Sequence, residues 1–341
     1  MKKIVSLLLI LAMVVSAFAL ASCGGEKKPS SDNNETDNNT PAQTLKLGLG
    51  VHVKASATDA IEDKAGQGQA TITAAAVLVD ADGKIVKAVI DCADNKVGYT
   101  FDGKAVAVEE FKTKYEQGSD YGMVAYGGSA KEWFEQVDAF CALIVGKTAD
   151  EVKALVVDGD KGTDDVLNAG CTITITEFAQ AIDKAIANAT ESKATADNTL
   201  KLGLSTAQTV TDAIEDKPGT NKVETTLFAA ALDADGKVVA ASSDCVEVSF
   251  GFDLTGKSTF DATAEILTKK EKGANYGMVA YGGATKEWFE QAAAFDSTAI
   301  GKTPAEIAGF VGEDGRGNAD VQAAGCTIYV TGFTKAAAKL G

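Results

Sequence analysis

Ala70-Thr-Ile-Thr-Ala-Ala-Ala-Val-Leu-Val-Asp-Ala-Asp-Gly-Lys-Ile-Val-Lys-Ala-Val-Ile90 reads as a β-hairpin. Two apolar, partly β-branched runs, residues 70–79 and 85–90, flank Asp82-Gly83, a tight-turn signal. The hairpin occurs twice, since Asp80-Ala-Asp-Gly-Lys84 returns as Asp233-Ala-Asp-Gly-Lys237. Upstream of it, Thr44-Leu-Lys-Leu-Gly-Leu returns from Thr199, and Asp59-Ala-Ile-Glu-Asp-Lys64 returns from Asp212. Downstream, Tyr121-Gly-Met-Val-Ala-Tyr-Gly-Gly128 returns from Tyr276, and Lys131-Glu-Trp-Phe-Glu-Gln136 from Lys286. Ala169-Gly-Cys-Thr-Ile173 returns from Ala324. Self-similarity at a fixed spacing marks a tandem array. Its units are residues 44–189 and 199–341, joined by the small, polar linker 190–198.

Within the first unit, residues 45–53 alternate as a half-buried strand does, and residues 97–101 read as a further strand. Residues 129–145 read as a helix, with Trp133, Val137, Phe140 and Ile144 on one face and Ser129 and Glu132 as a capping box. Residues 148–156 form a short helix capped by Thr148, with Asp150 and Glu151 in its first turn. Residues 171–176 read as a strand and 177–189 as a helix. Strands followed by helices imply an α+β fold: two tandem homologous domains, each a small, mainly antiparallel sheet with several helices.

The chain opens with Met1-Lys2-Lys3, an uncharged apolar run over residues 4–20, and Leu20-Ala21-Ser22-Cys23. This is the build of a cleaved leader, residues 1–22, rather than of a membrane span. The tetrapeptide resembles the lipobox of bacterial lipoproteins, which implies a diacylglycerol on Cys23 and a protein held at the extracytoplasmic face of the cell membrane. Each buried lipid methylene contributes about 0.8 kcal/mol to such an anchor. Residues 23–43 are polar enough to serve as a disordered tether. With 48 acidic and 32 basic residues the net charge is −16, which argues against nucleic acid as a partner. Cys92 and Cys171 correspond to Cys245 and Cys326, whereas Cys141 is matched by Asp296. A disulfide within each unit and small buried hydrophobes are both open readings, the second being favoured because five is odd. A lone His52 and the lack of Cys-x-x-Cys exclude zinc and haem. Asp158-Gly-Asp-Lys-Gly-Thr-Asp-Asp165 misses the calcium-loop register and reads as a solvated loop, so no metal site is expected.

Three shared segments bear on function. In Asp165-Val-Leu-Asn-Ala-Gly-Cys-Thr172 and Asp320-Val-Gln-Ala-Ala-Gly-Cys-Thr327, a threonine follows a glycine at the entry to the expected strand. The Tyr121 and Tyr276 segments set aromatics among glycines ahead of a helix, suited to a flat amphipathic ring. With the lipobox, the tether, the tandem copies and Lys-Glu-Trp-Phe-Glu-Gln, the chain resembles the two-domain flavinylated surface lipoproteins of Gram-positive flavin-based extracellular electron transfer. The resemblance implies that a flavin transferase splits FAD and leaves FMN joined by a phosphoester to Thr172 and Thr327. It also implies a membrane electron donor and an extracellular electron acceptor. The chain departs from the family signal Asp-x-x-(Ser/Thr)-Gly-Ala-Thr: Cys171 and Cys326 replace the alanine, Ala169 and Ala324 the hydroxyl residue, and Val166 and Val321 the acid. Thr174 and Thr176 compete as acceptors, but Tyr329 replaces Thr174 in the second unit, which favours Thr172 and Thr327.

Tyr121, Met123, Tyr126, Tyr276, Met278 and Tyr281 are the candidate flavin contacts, whereas Trp133 and Phe134 read as core. A threonine hydroxyl needs activation, and neither unit supplies a shared base, so the chain is expected to be a carrier rather than an enzyme. The alternative is a non-redox surface lipoprotein that binds a polymer, peptide or partner protein, with tandem copies adding avidity.

Overall fold

In the computed structural model, residues 43–341 are described. The leader, Cys23 and nearly all of the tether lie outside the described residues. Strands β1 (Lys46–Thr58), β2 (Gly66–Val79) and β3 (Ile85–Tyr99) form an antiparallel meander, edged by the short β4 (Ala105–Val106). Helices α1 (Lys114–Gln117), α2 (Trp133–Leu143), α3 (Ala149–Lys153), α4 (Asp164–Ala169) and α5 (Thr176–Ala187) follow, then β5 (Thr190–Glu191). The second repeat has β6 (Thr199–Thr211), β7 (Gly219–Leu232) and β8 (Val238–Phe252), then α6 (Lys269–Lys272), α7 (Trp288–Ala299), α8 (Pro304–Ala308), α9 (Ala319–Ala323) and α10 (Thr331–Ala338). The fold is α+β with two antiparallel sheets, ordered β4-β3-β2-β1-β5 and β6-β7-β8.

Period-two alternation decides which repeat each strand residue meets. Ala75, Val77 and Val79 face the helices of their own repeat, beneath Val137, Phe140 and Ile182. Ala74, Ala76 and Leu78 face the other way, into a core shared with Leu204, Leu227 and Val246 of the second sheet. The layers therefore run helices, sheet, sheet, helices. Gly50 lets α5 press against β1: a Cβ there would collide with the Ala181 carbonyl oxygen, and Gly203 stands likewise against Ala336.

The two repeats meet through reciprocal contacts, the mark of an approximate two-fold axis. Ala60 N–H donates to the Gly256 carbonyl (2.8 Å), and its counterpart Ala213 N–H donates to Gly103 (2.9 Å). Ser258 N–H donates to Asp59 (2.8 Å), and Ala105 N–H to Asp212 (2.9 Å). The matched residues Tyr99 and Phe252 stack on each other at 4.6 Å. The repeated Asp-Ala-Ile-Glu-Asp-Lys segment thus clasps one repeat to the other.

The structure corrects several readings of the sequence. Of the strand expected at residues 97–101, residues 97–99 are the end of one long β3, and Thr100 and Phe101 lie beyond it. The polar residues before Val97 are tolerated because Asn95 donates to Thr225 Oγ1 across the interface (3.0 Å) and Asp91 accepts from Cys92 N–H (2.7 Å). Residues 171–175 form a loop rather than a strand. Their alternation comes from burial of Cys171 and Ile175, while the Ile175 amide bonds to the Asp160 carbonyl instead of a neighbouring strand. Helix α2 starts at Trp133 and is capped by Glu132 with Glu135, not by Ser129. Thr148 caps α3, as expected. The linker is not a free spacer: β5 pairs with β1, and Ala194 is buried. No described helix is long and apolar enough to cross a membrane.

Candidate functional site

The loop between α4 and α5 carries Thr172. Gly170, at φ 97°, ends α4 in the left-handed region that glycine tolerates, and Cys171 plugs into the core. Thr172 is left exposed on the next residue. In the second repeat Gly325 (φ 102°), the buried Cys326 and the exposed Thr327 do the same.

A buried glutamine holds each threonine. Gln136 Oε1 accepts from both the amide (2.8 Å) and the hydroxyl (3.0 Å) of Thr172. Gln291 Oε1 accepts the same pair from Thr327, at 2.9 and 3.0 Å. The amide orientation follows from chemistry, because the Lys131 and Lys286 carbonyls accept from the two Nε2 atoms (3.1 Å each) and a carbonyl cannot donate. Gln136 and Gln291 are only 1% and 2% exposed, so each clamp is fixed from within the core.

A cation stands beside each clamp. A Cβ on Gly170 would collide with the Lys131 ammonium, and one on Gly325 with that of Lys286. Neither ammonium pairs with a carboxylate among the described residues. Each is therefore available to an anion attached at the neighbouring threonine.

The Tyr-Gly-Met segments are tied to the same helices. Glu132 accepts from the Met123 and Val124 amides (3.0 and 3.3 Å), and Glu287 from those of Met278 and Val279 (3.0 and 3.2 Å). Tyr121 and Tyr276 are half-buried beneath the ammonium groups of Lys114 and Lys269, at 5.1 and 5.2 Å from the ring centres. Tyr126 and Tyr281 are each 91% exposed, lying over Gly122 and Gly277. Trp133 is core, in edge contact with Phe178.

In repeat 2 a cavity of about 510 Å³ opens next to the acceptor loop. Tyr276, Met278, Trp288, Ile328 and Tyr329 wall it, with Lys269, Glu224 and Glu247 among its polar lining. Such a volume suits a small-molecule ring. Arg316 steadies the rim, stacking on Tyr329 at 5.1 Å and donating to the Thr327 carbonyl.

Cys92, Cys141, Cys171, Cys245 and Cys326 are all unpaired and buried, so the small-hydrophobe reading holds and the disulfide reading does not. Burial pushes the Cys171 and Cys326 thiols up to about 11, which keeps these neighbours of the threonines protonated and unreactive. In the Asp158–Asp165 loop, Asp160 (φ 65°) accepts from Thr176 Oγ1 at 2.8 Å and so ties the loop to α5.

Gln136, Gln291, Lys131 and Lys286 are functional candidates that the sequence reading passed over. The available signal was a polar residue on the buried face of an amphipathic helix, kept in both repeats. Compared with protein-family models, curated proteins and solved structures, the chain matches none.

Proposed function

We propose that the chain is a membrane-anchored, extracytoplasmic electron carrier bearing FMN as a phosphoester on Thr172 and on Thr327. The observation that carries this reading is the clamp itself. Both repeats present an exposed threonine hydroxyl, aimed by a buried glutamine, beside an ammonium with no carboxylate partner. Both copies keep all three features.

The donor set fits the group. Lys131 and Lys286 would neutralise a phosphodiester at the threonine, and the wall of Tyr276, Met278 and Trp288 would take an aromatic ring. FMN, when bound, supplies one- and two-electron transfer. The protein's own part is to orient the hydroxyl, exclude water from the ring in repeat 2 and keep the cofactor from diffusing away outside the cell. A neutral glutamine amide cannot take the hydroxyl proton, so activation belongs to a separate flavin transferase. The lipid on Cys23 and the polar tether would let the carrier visit a membrane donor and an extracellular acceptor in turn.

Intact mass and visible absorbance of the exported chain, produced together with a flavin transferase, test the proposal. The expected result is a yellow protein carrying two FMN units, one lost on Thr172→Ala and the other on Thr327→Ala. Gln136→Leu should reduce attachment at Thr172 only, while costing about 1–3 kcal/mol through the unpaired amide. A colourless chain of unmodified mass overturns the proposal.

A further inference from the structure

The two attachment sites have unlike surroundings. Around the repeat 2 cavity, Ser205, Ala207 and Gly332 leave room. Their counterparts in repeat 1 are His52, Lys54 and Glu177. The correspondence is fixed by strand register: His52 pairs with Thr73 as Ser205 pairs with Thr226, and Lys54 with Thr71 as Ala207 with Glu224. Glu177 turns inward, accepting from Thr73 Oγ1 at 3.4 Å, with Lys54 Nζ at 3.9 Å from its other oxygen. At the same place in repeat 2, Gly332 lies so close to Thr226 that a Cβ would collide with its hydroxyl. The far wall differs as well, because Tyr329 gives way to the smaller Thr174.

We infer that the two cofactors are held differently: the ring on Thr327 enters the cavity between Tyr276, Met278 and Tyr329, while the ring on Thr172 stays in solvent. This deepens the flavin reading and rests on it. The site in repeat 2 selects a flat heteroaromatic ring with a polar edge, since its walls are aromatic and its lining carries Lys269 between Glu224 and Glu247, at 3.4 and 3.5 Å. In repeat 1 the larger His52 and the inward-turned Glu177 stand where Ser205 and Gly332 leave room, so the clamp and Lys131 hold the cofactor by its phosphate alone. A carrier built this way has one ring open to outside partners and one sheltered ring.

The test uses the full flavinylated chain and its single-acceptor variants, with iodide quenching of flavin fluorescence. Intact mass is measured first. Thr172→Ala, which keeps only the Thr327 cofactor, should fluoresce weakly because of stacking, with a quenching constant several-fold below that of free FMN. Thr327→Ala should be bright and quenched nearly as readily as free FMN. Adding Glu177→Ala to Thr327→Ala should open the repeat 1 site and lower its constant. Glu177 lies in the first turn of α5 and caps nothing, so this variant should fold. Added mass at both threonines with equal quenching constants overturns this inference alone, whereas no added mass overturns the flavin reading with it.

Discussion

Repeat 1 and repeat 2 share the glutamine–threonine clamp almost atom for atom, yet differ elsewhere in their packing. Between α2 and β3, repeat 1 buries the Cys141 thiol; between α7 and β8, repeat 2 buries the Asp296 carboxyl. Against the end of its last long helix, repeat 1 has Gly48, while repeat 2 has Lys201. The difference separates two kinds of constraint. The glutamines and glycines that aim the threonines are the same in both copies, as are Asp59 and Ala60 of the clasp and their counterparts Asp212 and Ala213, whereas Tyr99 and Ala105 are matched by Phe252 and Ser258. Residues that meet only their own repeat follow local geometry: α5 reaches Ala187 and presses its Ala185 carbonyl on Gly48, whereas α10 has ended at Ala338 and leaves Lys201 room.

Glycine substitutions give the largest expected effect. Gly50→Val and Gly203→Val should each cost more than about 3 kcal/mol in urea unfolding, because the added carbons meet helix backbone rather than a movable side chain. Gly48→Val should do the same, while Lys201→Val should be nearly silent. A silent Gly48→Val would break the helix-length explanation.

Asp296→Cys, which gives repeat 2 the residue of repeat 1, comes next. Asp296 is buried and its Oδ1 has no partner; its other oxygen accepts from Ser243 N–H (3.1 Å) and lies 3.8 Å from Lys270. Burial raises its carboxyl above the usual range, with Lys270 only partly offsetting it. A raised carboxyl contributes stability that is present below its unfolded value and lost as pH rises through the folded one. The variant should therefore be more stable than the parent by about 1–2 kcal/mol at neutral pH, and the gap should close toward pH 4. Melting temperatures across that range decide it, and a parent more stable at neutral pH would show that the Lys270 pair outweighs burial.

The two-fold ion pairs should matter least. Lys184–Glu271 (2.6 Å) and Lys339–Glu116 (2.7 Å) are counterparts, both partly exposed. Lys184→Met and Lys339→Met should each cost about 0.2–1 kcal/mol, by similar amounts and less at high salt. Unequal losses in chemical denaturation would show that the approximate axis does not carry through to energetics.

Much of this was legible in the chain. The repeated Asp-Gly turns and alternating runs announced the hairpins, and Thr148 with Glu151 announced the cap of α3. Residues 171–175 misled because one buried face imitates a strand wherever a loop lies flat on a core. The division of β3 misled because Asp91 and Asn95 look like strand breakers until the Cys92 and Tyr115 amides satisfy the first and Thr225, across the interface, the second. Of the site, the threonines stood out only as repeated residues. The glutamines that aim them lie 36 positions earlier in the chain, and no local pattern links the two.

The sequence by itself determined the duplication, the α+β class and which residues the copies share, because periodicity and turn chemistry are local properties. Tertiary structure alone decided that the sheets pack face to face around a common core, since each strand's second apolar face shows that burial is needed but not against what. It alone joined Gln136 to Thr172 and Gln291 to Thr327, and opened a cavity beside the second acceptor loop. Those outcomes depend on which distant side chains meet, and a single buried donor or an extra Cβ is enough to change them.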